Sequence, residues 1–351
     1  MSTINIQLLK DICELPGAPG FETRIRSFIL HQIKDLTDEY HTDAMGNVIA
    51  IRRGNHQKKV MVAAHMDEIS FIVTHIDENG FVKFHTLGGF DPKTLTAQRV
   101  IIHGKKDIPG VMGTKPIHVL TPEEKNKPPR ITDYFIDTGL PEEEVKKWVQ
   151  VGDPITRERS LIEMGECVNS KSIDNRVSVY ILLETLKRLK NTTPAMDVYG
   201  VFTVQEEVGL RGAITSASGI NPDFGIALDV TMAYDLPGAS PHEMVTELGK
   251  GTAIKVMDGS VISDFRMVKF MRDVAERHKI PYQMEILPAG GTDTAGIQRS
   301  GQGGSIAGAI SVPCRYLHQV IEMAHKKDIE HSIELLLNCL LEIDQNSWEL
   351  Y

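Results

Sequence analysis

The sequence predicts an α/β protein: a sheet flanked by helices, interrupted by a β-rich insertion. Three observations carry this. Near-continuous apolar runs at Lys59–Ala64, Gly200–Val204 and Phe224–Leu228 have the length and composition of strands buried on both faces. Segments with apolar residues at helical spacing lie among and after them, at Val177–Leu189, Asp264–His278 and Ile329–Ile343. The stretch 71–166 instead alternates β-branched residues with turns, and shows helical periodicity only at Pro141–Val149.

In chain order, the N-terminal segment up to Gly17 reads as a short amphipathic helix and lacks the charged-then-apolar pattern of an export signal. The first buried strand ends at His65-Met66-Asp67-Glu68. The insertion is entered just after it, carries turns at Glu78-Asn79-Gly80 and Asp107–Gly110 and a Pro/Lys-rich loop at Thr121–Arg130, and is left before Ser172-Ile173-Asp174. Asp174 and Asn175 precede a helix whose apolar face is Val179, Leu182, Leu183, Leu186 and Leu189. The second strand runs into Gln205-Glu206-Glu207 and a glycine-punctuated turn, and the third ends at Asp229. The next helix, apolar at Phe265, Val268, Met271 and Ala275, stops at Pro281 and is followed by a strand at Tyr282–Leu287. The last helix is apolar at Ile333, Leu336, Leu337 and Leu340.

A chain of 351 residues suits a main domain plus an insertion. Hydrophobic residues at 41% and charged residues at 24% are ordinary for a globular chain. A formal net charge of -9 with no basic block opposes nucleic-acid binding, which needs a basic face to neutralise phosphates. The cysteines Cys13, Cys167, Cys314 and Cys339 form no CxxC pair, so they read as free thiols of a reducing cytoplasm. No apolar stretch is long enough to span a bilayer, so neither membrane nor nucleic acid is an expected partner.

The adjacent carboxylates Glu206 and Glu207 sit at the tip of a buried strand. There they repel each other and cost desolvation unless a cation lies between them. Each of the other strand ends also delivers a metal-capable side chain, and in open α/β sheets the ligand crevice lies outside those ends. Taken singly, each residue has a bland alternative. His65 reads either as a solvated strand-end histidine or as a ligand, with Asp67 behind it orienting the imidazole. Glu68 reads as a turn residue. Asp174 is either a helix N-cap or a carboxylate bridging two cations, with Asn175 and Arg176 buttressing it. Asp229 is either an Asx turn or a ligand. His318 is one of 13 histidines, whereas His325 and His331 read as solvated helix residues.

Together these positions supply two histidines, two aspartates and a glutamate as ligands, with one glutamate left over. This nitrogen and oxygen set suits two borderline divalent metal ions, zinc first, with cobalt or manganese as alternatives. Such a pair activates water and polarises a carbonyl, while a spare carboxylate moves the proton. The reaction class that follows is hydrolysis of an amide or a related bond.

The motifs HMDE, SKSIDNR, VQEEVGLRGA, ALDVT, GGTDTAG and VPCRYLH stand here in the order found in the family-42 metallo-aminopeptidases, which include the glutamyl and the tetrahedral (TET) aminopeptidases. The chain resembles that family over essentially its whole length. The resemblance implies a mixed sheet of the co-catalytic zinc-peptidase type with an inserted small β-barrel-like domain. Residues 1–70 and 167–351 would be the catalytic domain, and 71–166 a dimerisation domain. It implies that His65 and Asp229 hold one metal, Glu207 and His318 the other, and that Asp174 bridges them. Glu206 would be the general base acting on water, and Asp67 the supporting carboxylate. It further implies peptide substrates and dimers that build a hollow dodecamer.

Two positions depart from the family pattern: Gln319-Val320 replace a Ser-Pro pair, and Asn175 replaces an aspartate. Thr292 and Asp293, in Gly290–Gly296, are candidates to line the substrate site. Arg266 is either an exposed helix residue or a cation favouring glutamyl or aspartyl substrates. The competing functions are a related dipeptidase, deacylase or endoglucanase, and a catalytically silent metal-stabilised scaffold. Paired histidine ligands count against a glycosidase, and the spare Glu206 counts against a scaffold.

Overall fold

The structure is a computed structural model describing residues 4–350. Helices α1 (Ile6–Glu14) and α2 (Thr23–Ile33) lead into strands β1 (Glu39–Thr42), β2 (Val48–Arg52) and β3 (His56–His65). Helix α1 buries Leu9, Ile12 and Cys13, the stripe that its apolar spacing predicts.

The chain then forms a closed six-stranded barrel from β4 (Ser70–Ile76), β5 (Val82–Leu87), β6 (Arg99–His103), β7 (Asp107–Gly113), β8 (Phe135–Asp137) and β9 (Pro154–Arg157), in the order β4-β5-β8-β7-β6-β9. Helices α3 (Pro122–Lys125) and α4 (Glu142–Trp148) lie between β7 and β9 in sequence. Closure leaves no open edge, and alternate residues such as Phe71, Val73, Val100, Ile102 and Ile136 fill the interior with a core of its own.

Strands β10 (Ile162–Met164) and β11 (Cys167–Ser170) return the chain to the main sheet. Helix α5 (Ile173–Leu189), β12 (Met196–Thr203), α6 (Arg211–Ile220) and β13 (Phe224–Met232) follow. The chain ends through β14 (Thr252–Met257), α7 (Phe265–His278), β15 (Tyr282–Ile286), α8 (Asp293–Arg299), β16 (Ile306–Arg315), β17 (Glu322–His325) and α9 (Lys326–Glu342). The main sheet has 11 strands, ordered β1-β2-β12-β3-β13-β16-β17-β11-β10, with β14 pairing β16 and β15. Its centre, β12-β3-β13-β16, is parallel, and the flanking pairs β2-β12 and β16-β17 are antiparallel. The mixed, helix-flanked sheet and the barrel are therefore as expected.

The pleat of the central strands sorts two cores. Val60, Val62, Ala64, Ile226, Leu228, Ile310 and Val312 face α5, α7 and α9. Their neighbours Met61, Ala63, Ala227, Ala307 and Ala309 face α6 and α8. The second layer is thin: a Cβ on Gly225 would lie 2.4 Å from Ile297, so only glycine lets α8 pack this closely. Helix α5 is buried nearly all round, which suits its run of apolar residues. Each of Leu182, Leu183 and Leu186 contributes about 1.5–3 kcal/mol by leaving water.

All three strands run further than their apolar cores indicate: β3 starts at His56 and β12 at Met196. Strand β13 continues through Asp229 to Met232 because Val230, Thr231 and Met232 keep pairing with β16. Pairing with β3 stops at Leu228–Ala64, so Asp229 flanks the strand-end His65 from within β13.

Candidate active site

Register places the first three groups. His65 ends β3, opposite Thr203 of β12, and Asp229 lies at the same level on the other side. Beyond β12 the chain turns through Gln205, in a left-handed conformation at φ 54°, and presents Glu206 and Glu207. Asp174 enters from α5, where Asp174 and Asn175 have non-helical backbone and share a cis peptide. His318 sits in the loop after β16, also left-handed at φ 56°. Left-handed backbone at Gln205 and His318, neither of them glycine, is held by its surroundings, as is common at functional sites.

All six side chains line one cavity of about 490 Å³. His65 Nε2 lies 3.2 Å from Asp174 Oδ1, and 3.8 Å from both Asp229 Oδ1 and Glu206 Oε2. His318 Nε2 lies 3.2 Å from Asp174 Oδ2 and 3.5 Å from Glu207 Oε2. The two oxygens of Asp174 thus face two different histidines. Its alternative role as a side-chain helix cap is not realised: among the described residues no backbone N–H donates to its carboxylate, whose oxygens face the two imidazoles.

Asp67 does more than face His65 Nδ1 at 3.4 Å. Its two oxygens accept the backbone N–H groups of Glu206, at 3.1 Å, and Glu207, at 3.2 Å. One buried carboxylate therefore orients the histidine and fixes the turn carrying both glutamates.

Burial drives the electrostatics. It pushes the Glu206 and Asp229 carboxyls well above their ordinary values, and Glu207 to about 7, and neighbouring carboxylates add to the effect. Burial alone would lower His65, but Glu206, Asp174 and Asp67 carry it well above its usual value. Burial likewise opposes protonation of His318, yet Asp174 and Glu207 raise it to about 10. Burial would raise Asp174, and the imidazoles of His318 and His65 beside it reverse that. Protons here stand in for positive charge that the carboxylates require.

The residues fit divalent cations. His65, Asp174 and Asp229 offer ligand atoms within 4.8 Å of one another, as do Asp174, Glu207 and His318. Among the described residues, buried Asp174 Oδ1 and Glu207 Oε1 have no hydrogen-bond partner, and a coordinated cation would satisfy them.

Three sequence readings change. Glu68 is no turn residue: it is fully buried, bonded to Lys171, and faces Arg157 and Arg176 at 3.5 and 3.6 Å. Asn175 and Arg176 do not buttress Asp174 through hydrogen bonds. Asn175 donates to Leu228 O, and Arg176 to Ile12 O and Leu15 O. Arg266 is bound to Asp264 and to the Trp348 carbonyl and lies outside the cavity lining. Thr292 does line the cavity, whereas Asp293 accepts a hydrogen bond from Thr203.

Sequence reasoning also missed what supports Asp174 and His318. Glu322 Oε2 accepts the Asp174 N–H at 2.8 Å. Arg157, from the last barrel strand, donates to Gln319 O beside His318 and lies 3.9 Å from Glu322. Barrel residues Gly88 and Gly89 approach so closely that added Cβ atoms would lie 3.3 Å from Glu207 Oε2 and His318 Nδ1. The Gly-Gly pair was the available signal for this contact.

A strand-end cavity of histidines and carboxylates in an α/β fold invites comparison with known hydrolases. The sequence profile of the M42 glutamyl aminopeptidase family matches residues 46–335. The lysyl aminopeptidase of Pyrococcus furiosus is 34% identical over 97% of this chain and 98% of its own. The TET aminopeptidase of the marine sediment archaeon Thaumarchaeota archaeon SCGC AB-539-E09 superposes with a TM-score of 0.93 at 35% identity, covering 96% of each chain. The TET1 peptidase of Pyrococcus horikoshii, which can assemble into a tetrahedron or a large octahedral shell, gives 0.86 at 32% identity over 96% of this chain and 99% of its own.

Fold and comparisons define a peptide hydrolase of the aminopeptidase class. The chain belongs to the M42 glutamyl aminopeptidase family.

Proposed function

We propose that this aminopeptidase holds two divalent cations per subunit, zinc by preference and cobalt or manganese as substitutes. His65 and Asp229 would bind one, Glu207 and His318 the other, with Asp174 bridging. The observation that carries this reading is the pair of ligand triads sharing Asp174, whose two oxygens face different histidines. When bound, the cations supply polarisation of the scissile carbonyl and acidification of water.

The chain's own residues then divide the work. Glu206 takes the proton from the attacking water and delivers it to the amine as the carbon–nitrogen bond breaks. Its raised affinity for protons suits that task, and its side chain lies 3.8 Å from His65 Nε2. Asp67 holds the Glu206–Glu207 turn and the imidazole of His65 in place. The Glu206→Gln variant should retain both metals by mass spectrometry yet lose release of p-nitroaniline from aminoacyl-p-nitroanilides. A fully active variant would refute the role of Glu206.

Residues 1–70 with 167–351 form the proposed catalytic unit, and 71–166 the proposed dimerisation unit. The closed barrel with its own core supports the division. The shells of the P. horikoshii relative and the dodecamer of PhTET1-12s support assembly of such dimers into a dodecamer. Light scattering tests it, and a monomer in solution would contradict it. The cysteines are free among the described residues, which supports a cytoplasmic location; no helix among those residues is long and apolar enough to cross a membrane.

A further inference from the structure

Besides the histidines and carboxylates described above, the cavity is lined by the apolar side chains of Met232, Leu287 and Leu317 and by two further charged groups, Lys255 and Asp258. Among the described residues, Lys255 is the one lysine or arginine in the lining, and it is already engaged. It is 1% exposed and stands directly opposite Glu285 on the neighbouring strand. The Lys255 ammonium is hydrogen-bonded to Glu285 and lies 3.7 Å from Asp258 Oδ2. Glu285 is fully buried, its second oxygen has no hydrogen-bond partner among the described residues, and Lys255 is the cation bonded to it.

Asp258 is built into the wall as an acceptor. It receives the backbone N–H groups of Ser260 and Val261 and the hydroxyls of Ser260 and Thr292. Those dipoles stabilise its charge without neutralising it. The cluster therefore sets one positive against two negative side chains.

A substrate carboxylate entering here would make three carboxylates against one ammonium. A substrate ammonium or guanidinium would make two against two, with its aliphatic stem along Met232, Leu287 and Leu317. We infer that the N-terminal residue this enzyme removes best is lysine or arginine, selected by the Lys255–Asp258–Glu285 cluster, and that glutamyl and aspartyl substrates are disfavoured. This rests on reading the cavity as the aminopeptidase site. It runs against the glutamyl preference in the family's name.

The test is a panel of lysyl, arginyl, leucyl and glutamyl p-nitroanilides with the metal-loaded, full-length enzyme. Lysyl kcat/KM should exceed glutamyl kcat/KM at least tenfold, a difference of about 1.4 kcal/mol. A ratio below ten overturns the inference. Glu285→Gln frees Lys255 for an acidic substrate and should lower the lysyl-to-glutamyl ratio at least threefold; an unchanged ratio removes the cluster as its cause. Should that variant not fold, inhibition of the wild type by free L-lysine against free L-glutamate replaces it, and equal or tighter inhibition by glutamate overturns the selection. Hydrolysis of any member of the panel upholds the aminopeptidase reading whatever the order of preference. Release from none overturns that reading and the inference together.

Discussion

Replacing Asp67 by asparagine removes one charge and one acceptor from the point where three site residues converge. The carboxylate accepts N–H groups from Glu206 and Glu207 at 3.1 and 3.2 Å and lies 3.4 Å from His65 Nδ1. Asparagine keeps a single acceptor oxygen, so one backbone N–H must face an amide NH2 instead. A hydrogen bond to a charged group is worth about 1.5–3 kcal/mol, and the abandoned donor is buried. At about 1.36 kcal/mol per tenfold, the loss corresponds to roughly ten- to hundred-fold in kcat/KM. The assay is kcat/KM at saturating metal, with metal content and thermal midpoint measured on the same samples. The variant should fold and be slow, because Glu206 and Glu207 lose their fixed orientation. Activity within threefold of wild type at every metal concentration would refute the claim that Asp67 positions the turn.

Asp174→Ala should reduce bound metal from two equivalents towards none, because both ligand triads lose a member; retention of two equivalents by mass spectrometry would sink the bridging assignment. Glu68→Gln leaves Lys171, Arg157 and Arg176 facing one another without their carboxylate. Breaking a buried network of this kind costs about 3–5 kcal/mol, and a thermal scan should show a midpoint lowered by roughly 5 °C or more. Asp328 accepts N–H groups from Gly249 and Gly251, but burial raises its carboxyl to about 6. Its folded-state affinity for protons exceeds the unfolded one, so its contribution is fully present below pH ~4 and lost as pH rises through about 6. The midpoint of wild type relative to Asp328→Asn should therefore be more favourable at pH 5 than at pH 7.5, and an equal difference at both would contradict the assignment.

Part of the cavity lining was legible in local pattern, whereas Asp174 and His318 stood out only through the family resemblance. Apolar runs announce buried strands, and polar residues at their ends announce where a sheet opens to ligand. His65, Glu206 and Glu207 could be placed by that rule alone. Asp229 obeyed it only in part: β3 stops beside it while β13 continues, and pairing partners are invisible within one run of residues. The misreading of Glu68 has the same origin, since its partners Arg157, Lys171 and Arg176 are about 90 to 110 positions away in sequence. Arg266 failed as a substrate contact for a local reason. Asp264, two residues earlier, caps α7 and binds its guanidinium.

Arg157 gives the barrel a hold on the chemistry that its separate core conceals. From the last strand of the barrel it reaches the Gln319 carbonyl beside His318 and faces Glu322, which in turn bonds the Asp174 backbone. Gly88 and Gly89 approach Glu207 and His318 from the same domain. The barrel is therefore not an interchangeable module. A chimaera carrying a foreign barrel would inherit its donor's equivalents of Arg157 and the Gly-Gly turn, and with them a differently seated His318. Exchanging the barrel between relatives would then alter turnover even where no residue of the main sheet or its helices has changed.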